Sequence, residues 1–158
     1  MDPRFEKIYR ANSRYVYNVA LGMLRNRDEA EDIMQNVFIK LFENLDSFRG
    51  DSDIKTYLYR MTVNRTIDYI RSQALRNNKL ELIERPEPPK SNAASVILDS
   101  LLEKLSPDLR TPILLAEIGG FSYKEISAIM KMNIGTVKSR INRGMSRLKT
   151  YADKEALS

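Results

Sequence analysis

The chain has 158 residues, of which 42% are hydrophobic and 30% charged, with a net charge of +5 and neither cysteine nor histidine. The missing cysteines exclude a disulfide framework, and the missing histidines remove the commonest base near neutral pH and the commonest zinc ligand. No apolar run approaches about 18 residues and MDPRFEKIYR lacks an apolar core, so we expect no membrane span, no signal peptide and a cytoplasmic protein.

Apolar residues at three- and four-residue spacings predict three helices in the first half of the chain, at residues 5–25, 28–45 and 54–74. Asp28 and Glu31 have the spacing of a capping box at the start of the second helix. The run SFRGDSD, which contains a glycine and several short polar residues, predicts a loop before the third helix. We therefore expect a helical first domain over residues 1–77.

Two polar surfaces are expected on this first domain. Asp32 and Gln35 lie one turn apart on the second helix, away from its apolar stripe, where they could form a docking surface. One face of the third helix carries Tyr57, Arg60, Asn64, Asp68 and Arg71. An aromatic ring among cations and an amide suits single-stranded DNA, whose bases stack on aromatic rings and whose backbone meets Arg. Core packing of Tyr57 is the alternative interpretation, and it is the one we favour for Tyr59.

Residues 78–95 differ in composition from the rest of the chain. Their segment ERPEPPKSN holds three prolines in nine residues, which is typical of an interdomain linker. Two more helices are predicted at 96–105 and 107–118, the second with Ser106 as N-cap and Pro107 in its first turn. Pro112 predicts that this helix starts late or kinks. The chain is thus expected to be all-α, with two small helical domains, 1–77 and 96–158, joined by a flexible linker.

The segment FSYKEISAIMKMNIGTVKSRINRGMSRLK, at 121–149, has the pattern of a helix-turn-helix. Ser122 can cap a short helix over Tyr123–Met130, and Lys131–Ile134 is a four-residue connection. Thr136 then begins a second helix, whose predicted buried residues are Val137, Ile141, Met145 and Leu148.

The second helix of this motif is strongly basic. Residues 131–149 carry six Lys or Arg and no acidic residue. The outer face shows Lys138, Ser139, Asn142 and Arg143, with Arg140 and Arg147 at its flanks. Side chains of these types read base edges in the major groove and neutralise phosphates. We favour DNA binding over the alternative of a solvated basic helix, because the short turn, the apolar pattern and the one-signed face agree.

Two stretches of the chain resemble a known family. DEAEDIMQNVFIKLFENLDSFRGDSDIKTYLYRMTVNRTIDYIRS resembles the second region of sigma-70-type transcription initiation factors, and LEKLSPDLRTPILLAEIGGFSYKEISAIMKMNIGTVKSRINRGMSRL resembles their fourth region. Only a short linker separates them and the third region is missing, which is the layout of the extracytoplasmic-function (ECF) group. The resemblance covers about residues 5–150.

The resemblance implies a sigma factor, which is not an enzyme, binds core RNA polymerase and promoter DNA, and needs no cofactor, metal or small-molecule substrate. The positions that dock on polymerase are Asp32, Gln35 and Asn36. The positions that capture the melted minus-ten element are Phe48, Arg49, Tyr57, Arg60, Asn64 and Arg71. Those on the minus-thirty-five duplex are Thr136, Lys138, Ser139, Arg140, Asn142, Arg143 and Arg147. An anti-sigma factor is the expected inhibitor, and we expect no direct membrane insertion of the chain itself.

The sequence departs from the family pattern at several positions. Tyr57 stands where Trp is usual and Asn36 where Glu is frequent, while Asn142 replaces a larger side chain. Ser127 and Lys131 replace the usual Ala and Gly of the helix-turn-helix, so the turn must tolerate a residue other than glycine.

Three alternatives remain open beside the sigma factor. An independent regulator would use the helix-turn-helix without polymerase, and would have no need of a face for melted DNA. An enzyme is the least favoured, since the chain offers no His, Cys or glycine-rich phosphate loop. A protein-binding adaptor would use the basic helix against an acidic partner, and salt-dependent DNA binding would count against it.

Overall fold

A computed structural model of the chain describes residues 2–48, 54–77 and 93–157. Over these ranges the chain is helical without strands, which confirms the all-α prediction for the part described. The elements in chain order are α1 (Pro3–Leu24), α2 (Arg27–Glu43), a 3-10 turn (Leu45–Ser47), α3 (Ile54–Arg76), α4 (Ala93–Glu103), α5 (Pro107–Glu117), α6 (Tyr123–Met130) and α7 (Ile134–Leu157).

The chain forms two compact units, Met1–Thr66 and Ile67–Ser158, and the division falls inside α3. The predicted linker at 78–95 lies outside the described residues except for its last three, which are the first residues of α4.

The first unit is built on the packing of α1 against α2. Both helices turn an apolar stripe inward, and the buried residues include Val16, Val19, Ala20, Ala30, Ile33, Val37 and Leu41. Aromatic rings from the two helices meet at one end of this packing. The ring centroids of Phe5 and Phe42 lie 5.3 Å apart, and those of Tyr9 and Phe38 lie 4.9 Å apart. Tyr59 is buried with 1% exposure, so its prediction as a core residue is confirmed.

The start of α2 differs from the prediction of a cap at Asp28. Asn26 is the N-cap, and its side-chain oxygen accepts a hydrogen bond from the backbone N–H of Glu29 at 3.0 Å. Asp28 lies in the first turn, where a carboxylate is favoured by the helix dipole. Several residues at this point of the chain can cap a helix, so the pattern alone misplaced the boundary by two residues.

The second unit is organised around α7, which packs on α4, α5 and α6. Its core includes Leu101, Leu102, Leu105, Leu109, Ile113, Leu114, Leu115, Phe121, Ile126, Val137, Ile141 and Leu148. Ser106 is the N-cap of α5 and Pro107 its first residue, as predicted. Pro112 lies inside α5, and the helix nevertheless begins at Pro107. The predicted late start is therefore wrong, since the packing of the buried residues of α5 outweighs the one backbone hydrogen bond that Pro112 cannot make. The alternative of a kink at Pro112 stays a prediction.

Candidate nucleic-acid interface

The first helix of the motif, α6, begins with a complete capping box. The N–H of Glu125 donates to the Ser122 hydroxyl at 3.1 Å, and the N–H of Ser122 donates to the Glu125 carboxylate at 2.9 Å. Two backbone N–H groups at the helix start are satisfied in this way. The bounds Tyr123–Met130 are those predicted from the sequence.

The turn between α6 and α7 contains a strained residue. Lys131 adopts the left-handed conformation, with φ 54° and ψ 49°, and its N–H donates to the carbonyl of Ser127. The hydroxyl of Ser127 donates in turn to the carbonyl of Met132 at 2.5 Å, so this side chain links the end of α6 to the turn. The turn thus tolerates a non-glycine residue, as the sequence required.

The second helix of the motif, α7, begins at Ile134, two residues before the predicted start at Thr136. The side-chain oxygen of Asn133 accepts a hydrogen bond from the N–H of Gly135 at 2.7 Å. This bond satisfies a backbone group of the first turn, as an N-cap side chain does. Asn133 was missed by the sequence analysis, although an Asn before a helical pattern is a recognised start signal.

The buried stripe of α7 consists of Val137, Ile141, Gly144 and Leu148. Met145 is 45% exposed, so the prediction of Met145 as a core residue is wrong. A Cβ at Gly144 would lie 2.5 Å from the Cδ1 of Ile113, which shows how closely α7 approaches α5 at this point. The apolar pattern passed over Gly144 because glycine has no side chain to mark a buried position.

The opposite face of α7 is open to solvent. The exposed residues among the predicted DNA contacts are Lys138, Ser139, Asn142, Arg143 and Arg147. They combine cations with hydrogen-bonding side chains on a helix whose other side is fixed to a core. This is the arrangement by which a recognition helix presents side chains to the major groove.

Thr136 and Arg140 differ from the other predicted contacts, because both are half-buried. The side chain of Arg140 is 28% exposed, and its Nη1 lies 3.9 Å from Oδ1 of Asp108 at the start of α5. The guanidinium therefore lies at the border between the outer face of α7 and α5. The sequence placed Arg140 at the flank of the face, which agrees with this position.

The predicted polymerase contacts Asp32, Gln35 and Asn36 are all exposed on α2. Their spacing of three and four residues puts them on one face, opposite the stripe that packs on α1. Ile39 and Phe42 are 57% and 54% exposed farther along the same helix.

Phe48 and Tyr57 are the predicted minus-ten residues that the structure brings together. Their ring centroids lie 5.1 Å apart with a tilt of 53°, and both rings are half-buried. Arg60 and Asn64 are half-buried at one- and two-turn distances along α3. Tyr57 is therefore neither a core residue nor a fully solvated one. Arg49 lies outside the described residues.

Arg71 belongs to the second unit, Ile67–Ser158. Its guanidinium donates a hydrogen bond to the carbonyl of Gly119 and lies 5.0 Å from the ring of Phe121. Arg71 thus has partners within this unit, which the local sequence pattern could not indicate.

In the ranges 2–48, 54–77 and 93–157 there is no group of three or more acidic, His or Cys residues placed to hold a metal ion. Among the helices over the same residues, none combines the length and the apolar character needed to cross a membrane.

Comparison with protein families gives two matches. Residues 8–76 match sigma-70 region 2, and residues 95–148 match sigma-70 region 4.

Comparison with individual proteins gives relatives over most of the chain. It is 38% identical to the ECF RNA polymerase sigma-E factor of Escherichia coli K12, over 82% of this chain and 78% of that protein. It is 30% identical to the ECF RNA polymerase sigma factor SigE of Mycolicibacterium smegmatis, over 98% of this chain but only 63% of that longer protein. Among solved structures, the sigma factor RpoE of Bartonella quintana, crystallised with the anti-sigma factor NepR, is 25% identical with a TM-score of 0.48, over 95% of this chain and 97% of that one.

Proposed function

Because the chain belongs to the ECF group of the sigma-70 family, we propose that it binds bacterial core RNA polymerase and directs promoter-specific initiation of transcription, including recognition and melting of the promoter. The observation that carries this proposal is the occurrence of regions 2 and 4 in one chain, with an exposed basic face on the helix of region 4 that a DNA groove would accept. A factor of this kind supplies specificity and the polymerase supplies the chemistry.

Residues 96–158 are assigned to the minus-thirty-five element. Lys138, Ser139, Asn142 and Arg143 would face the bases, because they lie on the exposed side of α7 near its N-terminal half. The flanking contacts would be made by Thr136, Arg140 and Arg147. The two arginines suit phosphates, and phosphate contacts fix the register of a protein on the duplex without reading its sequence.

Residues 1–77 are assigned to core polymerase and the minus-ten element, with residues 78–95 as the connection to the second domain. Asp32, Gln35 and Asn36 would dock on polymerase, since they share the exposed face of α2. The paired rings of Phe48 and Tyr57 offer a stacking platform for unpaired bases. The remaining minus-ten contacts in this assignment are Arg49, Arg60, Asn64 and Arg71.

We infer that the chain is not an enzyme and binds no cofactor or small-molecule substrate, which is supported by a sequence without His and Cys. Its place of action is the cytoplasm, where core polymerase and promoters are found. An anti-sigma factor that holds it inactive is carried over from the family resemblance.

Run-off transcription tests the proposal directly. The purified chain is mixed with core RNA polymerase and fragmented DNA from its own host, and the 5′ ends of the transcripts are sequenced. We expect discrete start sites, absent with core alone, that share two spaced upstream motifs. An absence of new starts, together with specific duplex binding by the chain alone, would make it an independent regulator instead.

A pair of charge reversals separates polymerase docking from general effects of charge. Asp32→Arg should abolish retention of the chain on immobilised core polymerase, because it places a cation in the proposed docking face. Glu117→Arg is the matched control, since Glu117 is exposed at the end of α5 and has no assigned contact. Equal retention of the two variants would remove Asp32 from the docking surface.

A further inference from the structure

Asp108 is an acidic residue at the edge of the proposed DNA-binding face. It lies in the first turn of α5, and its side chain is 64% exposed. Its Oδ1 lies 3.9 Å from Nη1 of Arg140, one of the proposed flanking contacts on α7. A carboxylate repels the phosphates that Arg140 would bind, so Asp108 would weaken the complex with DNA unless it assists Arg140.

The close approach of α5 to α7 brings these two residues together. Gly144 lies one turn beyond Arg140 on the same side of α7. A Cβ at Gly144 would lie 2.5 Å from Cδ1 of Ile113 and 3.4 Å from the carbonyl oxygen of Leu109, so glycine is what lets the two helices meet here. Leu109 is buried and directly follows Asp108. The core packing that fixes Leu109 against α7 therefore also fixes the position of Asp108 beside Arg140.

The guanidinium of Arg140 has an inner and an outer side. Its Nη1 is buried and has no hydrogen-bond partner within the part of the chain that the structure describes, although the side chain as a whole is 28% exposed. At 3.9 Å, Asp108 attracts this nitrogen by charge and not through a hydrogen bond. The exposed area of the side chain belongs to its other atoms, and Nε and Nη2 remain as the donors for a phosphate.

An arginine that is already restrained binds a phosphate at a lower entropic cost. The long side chain of a free arginine loses much of its rotamer freedom when a ligand fixes it. A carboxylate that holds one end of the guanidinium removes part of this freedom before DNA is bound. Asp108 can therefore strengthen DNA binding through Arg140 even though its own charge opposes it.

We propose that Asp108 is a positioning residue, which holds the guanidinium of Arg140 ready for a phosphate of the minus-thirty-five duplex. This inference rests on the proposed function, because it requires α7 to enter the groove of promoter DNA. It adds an acidic residue of α5 to a DNA-binding surface that was otherwise described by basic and polar residues of α7.

Removal of the carboxylate charge tests the proposal by the sign of its effect. The affinity of the holoenzyme, formed from the full chain and core polymerase, is measured for a promoter fragment mapped by run-off transcription. Asp108→Asn should weaken binding about two- to fivefold, the worth of a partly exposed ion pair, whereas loss of a repelling charge alone would strengthen it. Asp108→Glu keeps the charge and should retain most of the affinity. Glu117→Gln, the matched control, removes an exposed acid from the other end of α5 and should bind at least as tightly as the unaltered chain.

A double-mutant cycle assigns the effect to Arg140. In an Arg140→Ala background, Asp108→Asn should cause no further loss of affinity. In an Arg147→Ala background it should still weaken binding about two- to fivefold, because Arg147 lies about two turns farther along α7. A purely structural role of Asp108 at the start of α5 would weaken binding equally in both backgrounds. Thermal unfolding of each variant checks that the second unit is folded at the temperature of the assay.

The outcomes separate this inference from the proposed function. If Asp108→Asn leaves the affinity unchanged or raises it, or if it weakens binding equally with and without Arg140, the positioning role is overturned and the sigma assignment stands. The same holds if Arg140→Ala itself binds the promoter as tightly as the unaltered chain. If no promoter-specific binding occurs with core polymerase, the proposed function itself fails.

Discussion

Replacing Lys131 by glycine should stabilise the helix-turn-helix. Lys131 has φ 54° and ψ 49°, a left-handed conformation in which the Cβ lies too close to the following carbonyl oxygen. Glycine has no Cβ and adopts this conformation without that cost. Its N–H is already bonded to the carbonyl of Ser127, and that bond does not depend on the side chain. The lysine is exposed, so its removal forfeits little packing.

The magnitude follows from two opposing effects. The left-handed conformation costs an L-residue about 1–2 kcal/mol, and glycine escapes this cost. Glycine also gives the unfolded chain more freedom, which costs about 0.5–1 kcal/mol. The free energy of unfolding should therefore rise by about 0.5–1 kcal/mol, and the melting temperature of the second unit by a few degrees, on the order of 4 °C.

Circular dichroism during thermal unfolding of the full chain measures this shift. Lys149→Gly makes the same replacement at an exposed position inside α7, where glycine should destabilise the helix by about 1 kcal/mol. The two variants should thus move the transition in opposite directions. If Lys131→Gly lowered the melting temperature, relief of the left-handed strain would be smaller than the entropy cost of glycine, and the reasoning would fail.

Three other substitutions have defined consequences. Ser127→Ala removes the hydrogen bond to the Met132 carbonyl and should cost about 1 kcal/mol in the same unfolding assay, a loss that Ser127→Thr should partly restore. Arg143→Ala should weaken minus-thirty-five binding by about 1–3 kcal/mol and relax selectivity at one base pair, measured by competition between duplexes; uniform weakening would indicate a phosphate contact. Tyr57→Ala should spare binding to polymerase and to duplex but impair promoter opening; equal losses on premelted and duplex promoters would contradict stacking by this ring.

The helix-turn-helix was largely predictable because the forces that define it are local. Ser122 as a cap and the apolar spacing of α6 gave its bounds as the structure has them. The outer face of α7 was equally accessible, since a helix that buries Val137, Ile141 and Leu148 must turn Lys138, Ser139 and Asn142 outward.

Other features depend on contacts that the local pattern does not encode. The burial of Gly144 follows from the approach of Ile113 on α5, which is distant in sequence. The position of Arg140 beside Asp108 is likewise a tertiary pairing. The start of α7 was misplaced because Asn133, Ile134 and Thr136 are all compatible with a first turn, and only the capping bond from Gly135 decides among them.

The exposed and the half-buried residues of α7 that are assigned to the promoter differ in how much a substitution would affect folding. Ser139, Asn142 and Arg143 are exposed, and surface substitutions away from specific interactions usually alter stability by less than about 0.5 kcal/mol. Under the proposed assignment, base preference at these positions can therefore vary with little effect on folding. Arg140 differs, because its guanidinium also lies near Asp108 on α5, so a change there would alter this pairing as well as the proposed DNA contact.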